Sequence, residues 1–403
     1  MVRLGGDAVF PRGRTAHLSL SKGKGVSSDV LSGPVAAAPE AADNARRSVR
    51  DAVNELLERL GHGPFRQETV VFLPGRNENI AGTTTSGVDV FAKRIVARSG
   101  AQPTVIGRAL AFDRFMRSAR FTYLRSPTTL GYDEHERIVL FQWISNASTG
   151  AELVDDGGFD TTLARQLGAA LGELHGAESE DPHLIKGSAV FPSVRHLTGI
   201  PLEYFLECSG GLLHAWRLLQ SDPALVTALT KLLESEASAV GVPVHGDLRL
   251  DQILVVGGAV HIADWEEFRI GDAARDLGAL VGEWLFRSIL GIGRSSADDV
   301  GDLAELSHDL ILERGVQRIH EARPILSSFW SGYTHLRPSD DGRELSVRAV
   351  AFAGWHLFDR VLATAEQRSD LTPLLRAIAG VGRNALLHPE NFVEVLGLGR
   401  GPC

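Results

Sequence analysis

Apolar residues recur along this chain with two periods, and the switches between them divide it. From Ala45, Val49, Val53, Leu56, Leu57 and Leu60 fall on one face of a helix, with Gly61 as its stop. Period two then takes over. Glu68–Leu73 reads as a strand, 74–79 as a turn and Ile80–Thr85 as a second strand; 86–89 turns into Val90–Ile95, an antiparallel meander. A helix around Gly107–Ala119 and further strand-like pieces lead to Arg137–Ile144. From about Thr161 nearly everything reads helical, broken by a β-like island at Val242–Phe268. The pattern predicts an α+β chain in two lobes. Residues 45–144 form a small lobe with an antiparallel sheet, ending in a hinge, and residues 145–403 form a larger, mainly helical lobe. Residues 1–44, rich in Gly, Ser, Ala and Pro with early basic residues, are expected to be a tail too poor in apolar surface to order.

Composition removes several classes of function. No apolar run approaches the roughly 18 residues a membrane span needs. The N-terminus lacks the apolar core of a secretory signal. Cys208 and Cys403 are the only cysteines, too few for a disulfide framework, so a reducing cytoplasm is the expected address. Forty-one basic against 50 acidic residues give a net charge of −9, the wrong sign for a nucleic-acid backbone binder. The 14 histidines show no zinc-ligand spacing. Gly380-Val381-Gly382 loosely resembles a dinucleotide loop, but a helical pattern precedes it where a strand is required.

Chemistry concentrates in the island. Val244-His245-Gly246-Asp247 is followed by Leu248-Arg249-Leu250-Asp251-Gln252, and 17 residues after Asp247 an apolar strand delivers Asp264. An acid ending a short loop, an oxygen ligand five residues on and a second acid closing a strand is a phosphoryl-transfer arrangement. Protein kinases carry it as H-R-D-x-x-x-x-N followed by D-F-G; here it reads H-G-D-x-x-x-x-Q.

The H-G-D version resembles the aminoglycoside phosphotransferase and choline-kinase branch of the protein-kinase-like fold, from about Glu68 to the C-terminal end. The resemblance implies ATP and Mg2+ as cofactors, Asp247 as catalytic base, and Asp264 and Gln252 as metal ligands, Gln252 replacing the commoner Asn. Arg249 lies two residues after the base, where a cation could neutralise charge on the transferring phosphate. Asp276 is expected to brace the catalytic segment and His245 to brace the loop backbone. Lys93, in Val90-Phe91-Ala92-Lys93, matches the strand lysine that pairs with the α- and β-phosphates. Gly75, Arg76 and Asn77 in the hairpin turn are candidate phosphate contacts. Asp113 is the expected acidic partner of Lys93, and Gln142 and Ile144 are expected to meet the adenine through backbone groups.

Within that branch, the run H-G-D-L-R-L-D-Q, Trp216–Gln220 and Gly282-Glu283-Trp284-Leu285 are similar to the kinase subunit of class V lanthipeptide synthetases. That likeness implies a ribosomal precursor peptide (leader plus core) as acceptor, phosphorylated on Ser or Thr. It also implies a separate HopA1-like lyase that eliminates the phosphate. Strand edges of the small lobe would suit a leader segment. A small-molecule kinase for a sugar or an aminoglycoside, and a non-catalytic scaffold of kinase descent, remain as alternatives. No membrane or nucleic-acid partner is expected.

Overall fold

The structure, a computed structural model, describes residues 39–75, 77–96, 104–178, 184, 195–292, 308–337 and 342–399. Residues 1–38 of the expected tail, and Arg76, lie outside the described residues. Contacts divide the described chain into two compact units, 39–96 with 128–148 and 104–127 with 149–399.

In the first unit, helix α1 (Pro39–Arg59) precedes strands β1 (Val71–Leu73), β2 (Glu78–Thr83) and β3 (Asp89–Arg94). The helix starts upstream of the expected Ala45, with Pro39 at a first position where its missing N–H is harmless. The expected strand from Glu68 is shorter than its apolar pattern suggested. Residues Gln67–Thr69 form a 3-10 turn, because the Thr69 hydroxyl donates to Arg66 O (2.8 Å) and accepts from Thr83 N–H (2.9 Å). After an excursion into the second unit the chain returns as β4 (Thr129–Asp133) and β5 (Ile138–Gln142). The sheet order is β1-β2-β3-β5-β4, antiparallel throughout, with β1 and β4 at its edges.

Strand alternation gives the sheet two different faces. Ile80, Ala92 and Leu140 stand in register and pack with Val49, Val53, Leu56 and Leu57 of α1, all essentially fully buried. Each buried Val, Leu or Ile among them contributes about 1.5–3 kcal/mol by leaving water. One residue on, Asn79, Lys93 and Val139 form the next row and point to the opposite face.

The second unit opens with α2 (Thr104–Ser118), which sequence patterning had grouped with the small lobe. Its Phe112 and Phe115 pack into the large helical core instead. A short strand β6 (Ser148–Thr149) leads into α3 (Gly150–Asp155), then α4 (Thr161–Gly176), α5 (Arg195–Thr198), α6 (Leu202–Glu207), α7 (Gly210–Gln220) and α8 (Pro223–Ser238). The apolar run Leu202–Gln220 is two helices, since Ser209 caps the second by accepting from Leu212 N–H at 3.1 Å. The β-like island follows as β7 (Val242–Val244), β8 (Ile253–Val256), β9 (Ala259–Ile262) and β10 (Arg269–Gly271). Helices α9 (Ala273–Ile292), α10 (His308–Leu336), α11 (Gly342–Ala365), α12 (Pro373–Leu387) and α13 (Pro389–Val395) complete the unit. Gly380 and Gly382 lie inside α12, so the loose dinucleotide match is helix. Helices α4 and α10 cross at Gly168, where a Cβ would sit 1.9 Å from Phe329 O. Among the described residues no helix is long and apolar enough to cross a membrane.

Candidate active site

The island builds a loop between short strands. β7 pairs antiparallel with β10, bringing Val244 opposite Arg269, and the chain leaves β7 through His245-Gly246-Asp247. β8 and β9 form a hairpin around Gly257 and Gly258, whose φ values of 56° and 76° suit the twist of a two-residue turn. β9 then delivers Asp264 in the left-handed region at φ 69°, ψ 53°, which aspartate tolerates better than most residues.

The loop is braced from behind by Asp276, at the first turn of α9. One carboxylate oxygen accepts from His245 N–H at 2.7 Å and the other from Gly246 N–H at 2.9 Å. His175, ending α4, is 3.2 Å from the same carboxylate and 3.2 Å from the Tyr333 hydroxyl. Burial would push the Asp276 carboxyl up. The His175 hydrogen bond and charge, His245 and the Gly246 N–H outweigh that and hold its pKa below the usual range. His245 in turn reaches Ala263 O at 2.9 Å through Nε2, tying the loop to the strand that carries Asp264. The expected bracing roles of Asp276 and His245 are therefore present. The contact of His175 with Asp276 spans 101 residues, so no local period shows it.

Asp247 keeps 45% of its side chain exposed, and Arg249 Nη1 lies 3.3 Å from its Oδ2. Arg249 Nε also reaches Asp251 Oδ1 at 3.2 Å. Burial opposes the Arg249 charge, but Asp247, Asp251, Asp264 and Glu283 outweigh it and raise its pKa. The island thus brings Asp247 and Arg249 together.

Gln252 bridges the loop backbone and Asp264. Its Oε1 accepts from Arg249 N–H at 2.9 Å, and a backbone N–H can only donate, so the orientation of the amide follows. Its Nε2 then faces Asp264 Oδ2 at 3.5 Å. The oxygen expected to ligate a metal thus accepts one bond from the loop backbone and keeps its second lone pair. Among the described residues no group of three or more His, Cys, Asp or Glu could hold a metal ion by itself. A cation bound jointly by one or two protein oxygens and substrate phosphates needs no such group, and the Asp264 carboxylate fits that pattern.

Helix α2 leans on the segment after Asp264. Phe112 stacks on Trp265 with centroids 3.7 Å apart and planes at 6°, and Phe268 meets Phe112 and Phe115 at 5.2 Å each. Such contacts add about 0.5–1.5 kcal/mol beyond area burial. Asp113, the expected partner of Lys93, is ion-paired with Arg117 at 3.0 Å, one turn along its own helix.

The remaining candidates lie in the first unit. Lys93 sits in β3, on the sheet face opposite α1, together with Phe91 and Phe141, whose rings are 6.4 Å apart. Gly75 and Asn77 lie in the β1–β2 turn, with Asn77 Oδ1 accepting from Val96 N–H at 3.3 Å. Gln142 closes β5 and donates its N–H to Thr128 O at 2.8 Å, so this backbone donor is used within the sheet. Ile144 follows, half-buried.

Charged residues separated by long stretches of sequence converge in the helical unit. Glu283 of α9, buried, meets His356 Nε2 at 2.8 Å, with Arg287 and Arg360 each 3.9 Å away. Burial raises the Glu283 carboxyl, but the His356 bond and the charges of His356, Arg360 and Arg287 win and pull it down to about 2. Arg287 also pairs with Asp155 of α3 at 2.8 Å. Helix pairing alone brings these residues together, so no short motif could have shown them.

Comparisons with known proteins bear on the fold and the family. An amicoumacin kinase (hAmiN, solved in complex with AMP-PNP, Ca2+ and Ami) superposes with a TM-score of 0.51 at 14% identity, covering 87% of this chain and 96% of that one. The choline kinase LicA from Streptococcus pneumoniae gives 0.49 at 13% identity, over 85% and 99%. A choline/ethanolamine kinase family protein from Mesorhizobium loti gives 0.47 at 18%, over 89% and 98%. A search of curated protein sequences returns no match. The sequence profile of the phosphotransferase enzyme family matches residues 72–304, more than half of the chain. The fold is protein-kinase-like, and the chain belongs to the phosphotransferase enzyme family, enzymes that pass a phosphoryl group to a hydroxyl acceptor.

Proposed function

We propose that this phosphotransferase uses ATP and Mg2+ to phosphorylate Ser or Thr of a ribosomal precursor peptide, ahead of phosphate elimination by a separate HopA1-like lyase. The observation that carries the catalytic part is Asp247, half exposed at the end of a loop braced by Asp276 and paired with Arg249 at 3.3 Å.

In this reading Asp247 takes the proton of the acceptor hydroxyl as the new O–P bond forms and the bond to the leaving nucleotide breaks. Arg249 holds the carboxylate in place and offers positive charge beside it. Asp264 is the protein carboxylate for the divalent cation, oriented by the amide of Gln252. Bound there, the cation would offset charge on the phosphates. Lys93 supplies the fixed cation for the nucleotide, with Gly75 and Asn77 of the hairpin turn and the backbone of 142–144 as further contacts. A cytoplasmic setting suits this chemistry.

The peptide acceptor is supported by the H-G-D-L-R-L-D-Q run and by charge. Glu283 and Asp359 are paired with His356 and Arg360, so these two carboxylates are not free to hold a polycationic acceptor. The likeness to amicoumacin kinase favours a second reading, a small-molecule kinase. Transfer of labelled γ-phosphate from ATP to a precursor peptide, run beside a sugar and an aminoglycoside, separates the two. Modification of the small molecules alone would overturn the peptide reading.

A further inference from the structure

The glycine of His245-Gly246-Asp247 leaves a space that another residue fills. A Cβ at Gly246 would lie 2.2 Å from Arg269 Nη1 and 2.7 Å from Glu267 O, and the residue stands at φ +87°. Arg269, almost fully buried at the start of β10, donates through Nη2 to Gly246 O at 3.4 Å and through Nη1 to Glu267 O at 2.9 Å. The Glu267 carboxylate lies 3.4 Å from Arg269 Nη1 and is ion-paired with Arg108 of α2. A continuous polar chain therefore runs from α2, through Glu267 and Arg269, to the carbonyl immediately before Asp247.

We propose that Arg269 is a positioning residue for Asp247, and that Glu267 and Arg108 set its position from α2. The proposal rests on the reading of Asp247 as the base. A buried guanidinium between a loop carbonyl and a carboxylate is a fixed strut, since its planar fork cannot satisfy both without holding them at one separation. Glu267 is the carboxylate end of the strut, facing both Arg269 and Arg108. Burial raises its carboxyl pKa, Arg108 and Arg269 lower it, and Asp247 and Glu266 push it up again, with a net rise. Helix α2 is also anchored independently by Phe112 on Trp265, so loss of Arg108 leaves the helix in place while disconnecting it from the strut. A displacement of the base by a fraction of an ångström is enough to slow an in-line transfer.

The test is steady-state release of phosphate from Mg-ATP by the full chain, with water as acceptor, for the wild type and Asp247→Asn, Arg269→Ala, Arg269→Lys and Arg108→Ala. Arg269→Ala is expected to lower kcat by about 10- to 100-fold while KM for ATP moves by less than about twofold. Arg269→Lys should recover part of the loss, and millimolar guanidinium ion should partly rescue Arg269→Ala. Arg108→Ala, at a partly exposed site, should lower kcat less without changing the melting temperature, and it carries the test if Arg269→Ala does not fold. Unchanged kcat in Arg269→Ala and Arg108→Ala would overturn the proposal. So would a loss that follows the melting temperature and resists guanidinium. If Asp247→Asn itself turned over normally, the reading of the base would fail, which is a different result from Asp247→Asn failing while Arg269→Ala works.

Discussion

Gln252 presents the donor side of its carboxamide to Asp264: Nε2 lies 3.5 Å from Oδ2, because Oε1 is occupied by the Arg249 N–H at 2.9 Å. One side chain thereby ties the Arg249 backbone to the acid that closes β9. Gln252→Ala removes both bonds and is expected to cut phosphoryl transfer by about tenfold, the worth of a hydrogen bond to a charged group. It should also raise the metal concentration needed for half-maximal rate. Gln252→Asn, one methylene shorter, can keep only one of the two bonds and should fall between. A titration of rate against Mg2+ checks this. Full and equal activity in both variants would show that Gln252 does not act on Asp264.

The two island aspartates should fail in different ways. Asp247→Asn is expected to leave nucleotide affinity nearly intact and to lower turnover by about two to four orders of magnitude, the usual effect of a positioned base. Asp264→Asn should weaken ATP binding in the presence of metal and abolish its metal dependence. Calorimetric titration of Mg-ATP against each variant separates the roles. Unchanged metal dependence in Asp264→Asn would contradict its assignment.

Glu283 makes stability depend on acid. Its folded pKa, about 2, lies below the ordinary glutamate value of 4.5, so its stabilisation is fully present above about pH 5 and is lost as pH falls toward 2. The shift corresponds to a contribution on the order of 3 kcal/mol. Glu283→Gln should lower the melting temperature at neutral pH and flatten the decline of stability between about pH 5 and pH 2. Melting curves across that range measure it, and an undiminished acid slope in the variant would contradict the assignment.

The Phe112–Trp265 stack is the main apolar tie between α2 and the segment after Asp264. Phe112→Ala should destabilise the second unit by about 3–5 kcal/mol, and Phe112→Leu by much less, because most of the volume is retained. Urea denaturation followed by tryptophan fluorescence would show it.

Local pattern in the sequence revealed those parts of the fold and site that depend on neighbouring residues. Helix α1, the β2–β3 meander and the island around Asp247 and Asp264 each follow from a period or a fixed spacing within about 30 residues. The bracing by Asp276 was legible through the family resemblance and not from spacing alone. What escaped depends on residues that only folding brings together. The allegiance of α2 to the second unit is decided by Trp265 and Phe268, about 150 residues downstream. The Glu283–His356 pair spans 73 residues and the Arg108–Glu267 pair 159. The turn at Gln67–Thr69 was misjudged because its Thr69 hydroxyl competes with the ladder, which an apolar pattern does not register.

The most direct test of phosphoryl transfer to a peptide hydroxyl is mass spectrometry of a candidate precursor peptide after incubation with Mg-ATP and either the wild-type chain or Asp247→Asn. The expected result is phosphoserine or phosphothreonine formed by the wild type and not by Asp247→Asn, with no dehydrated residue until the lyase is added. A peptide left unmodified by wild type that phosphorylates a sugar or an aminoglycoside under the same conditions would contradict it.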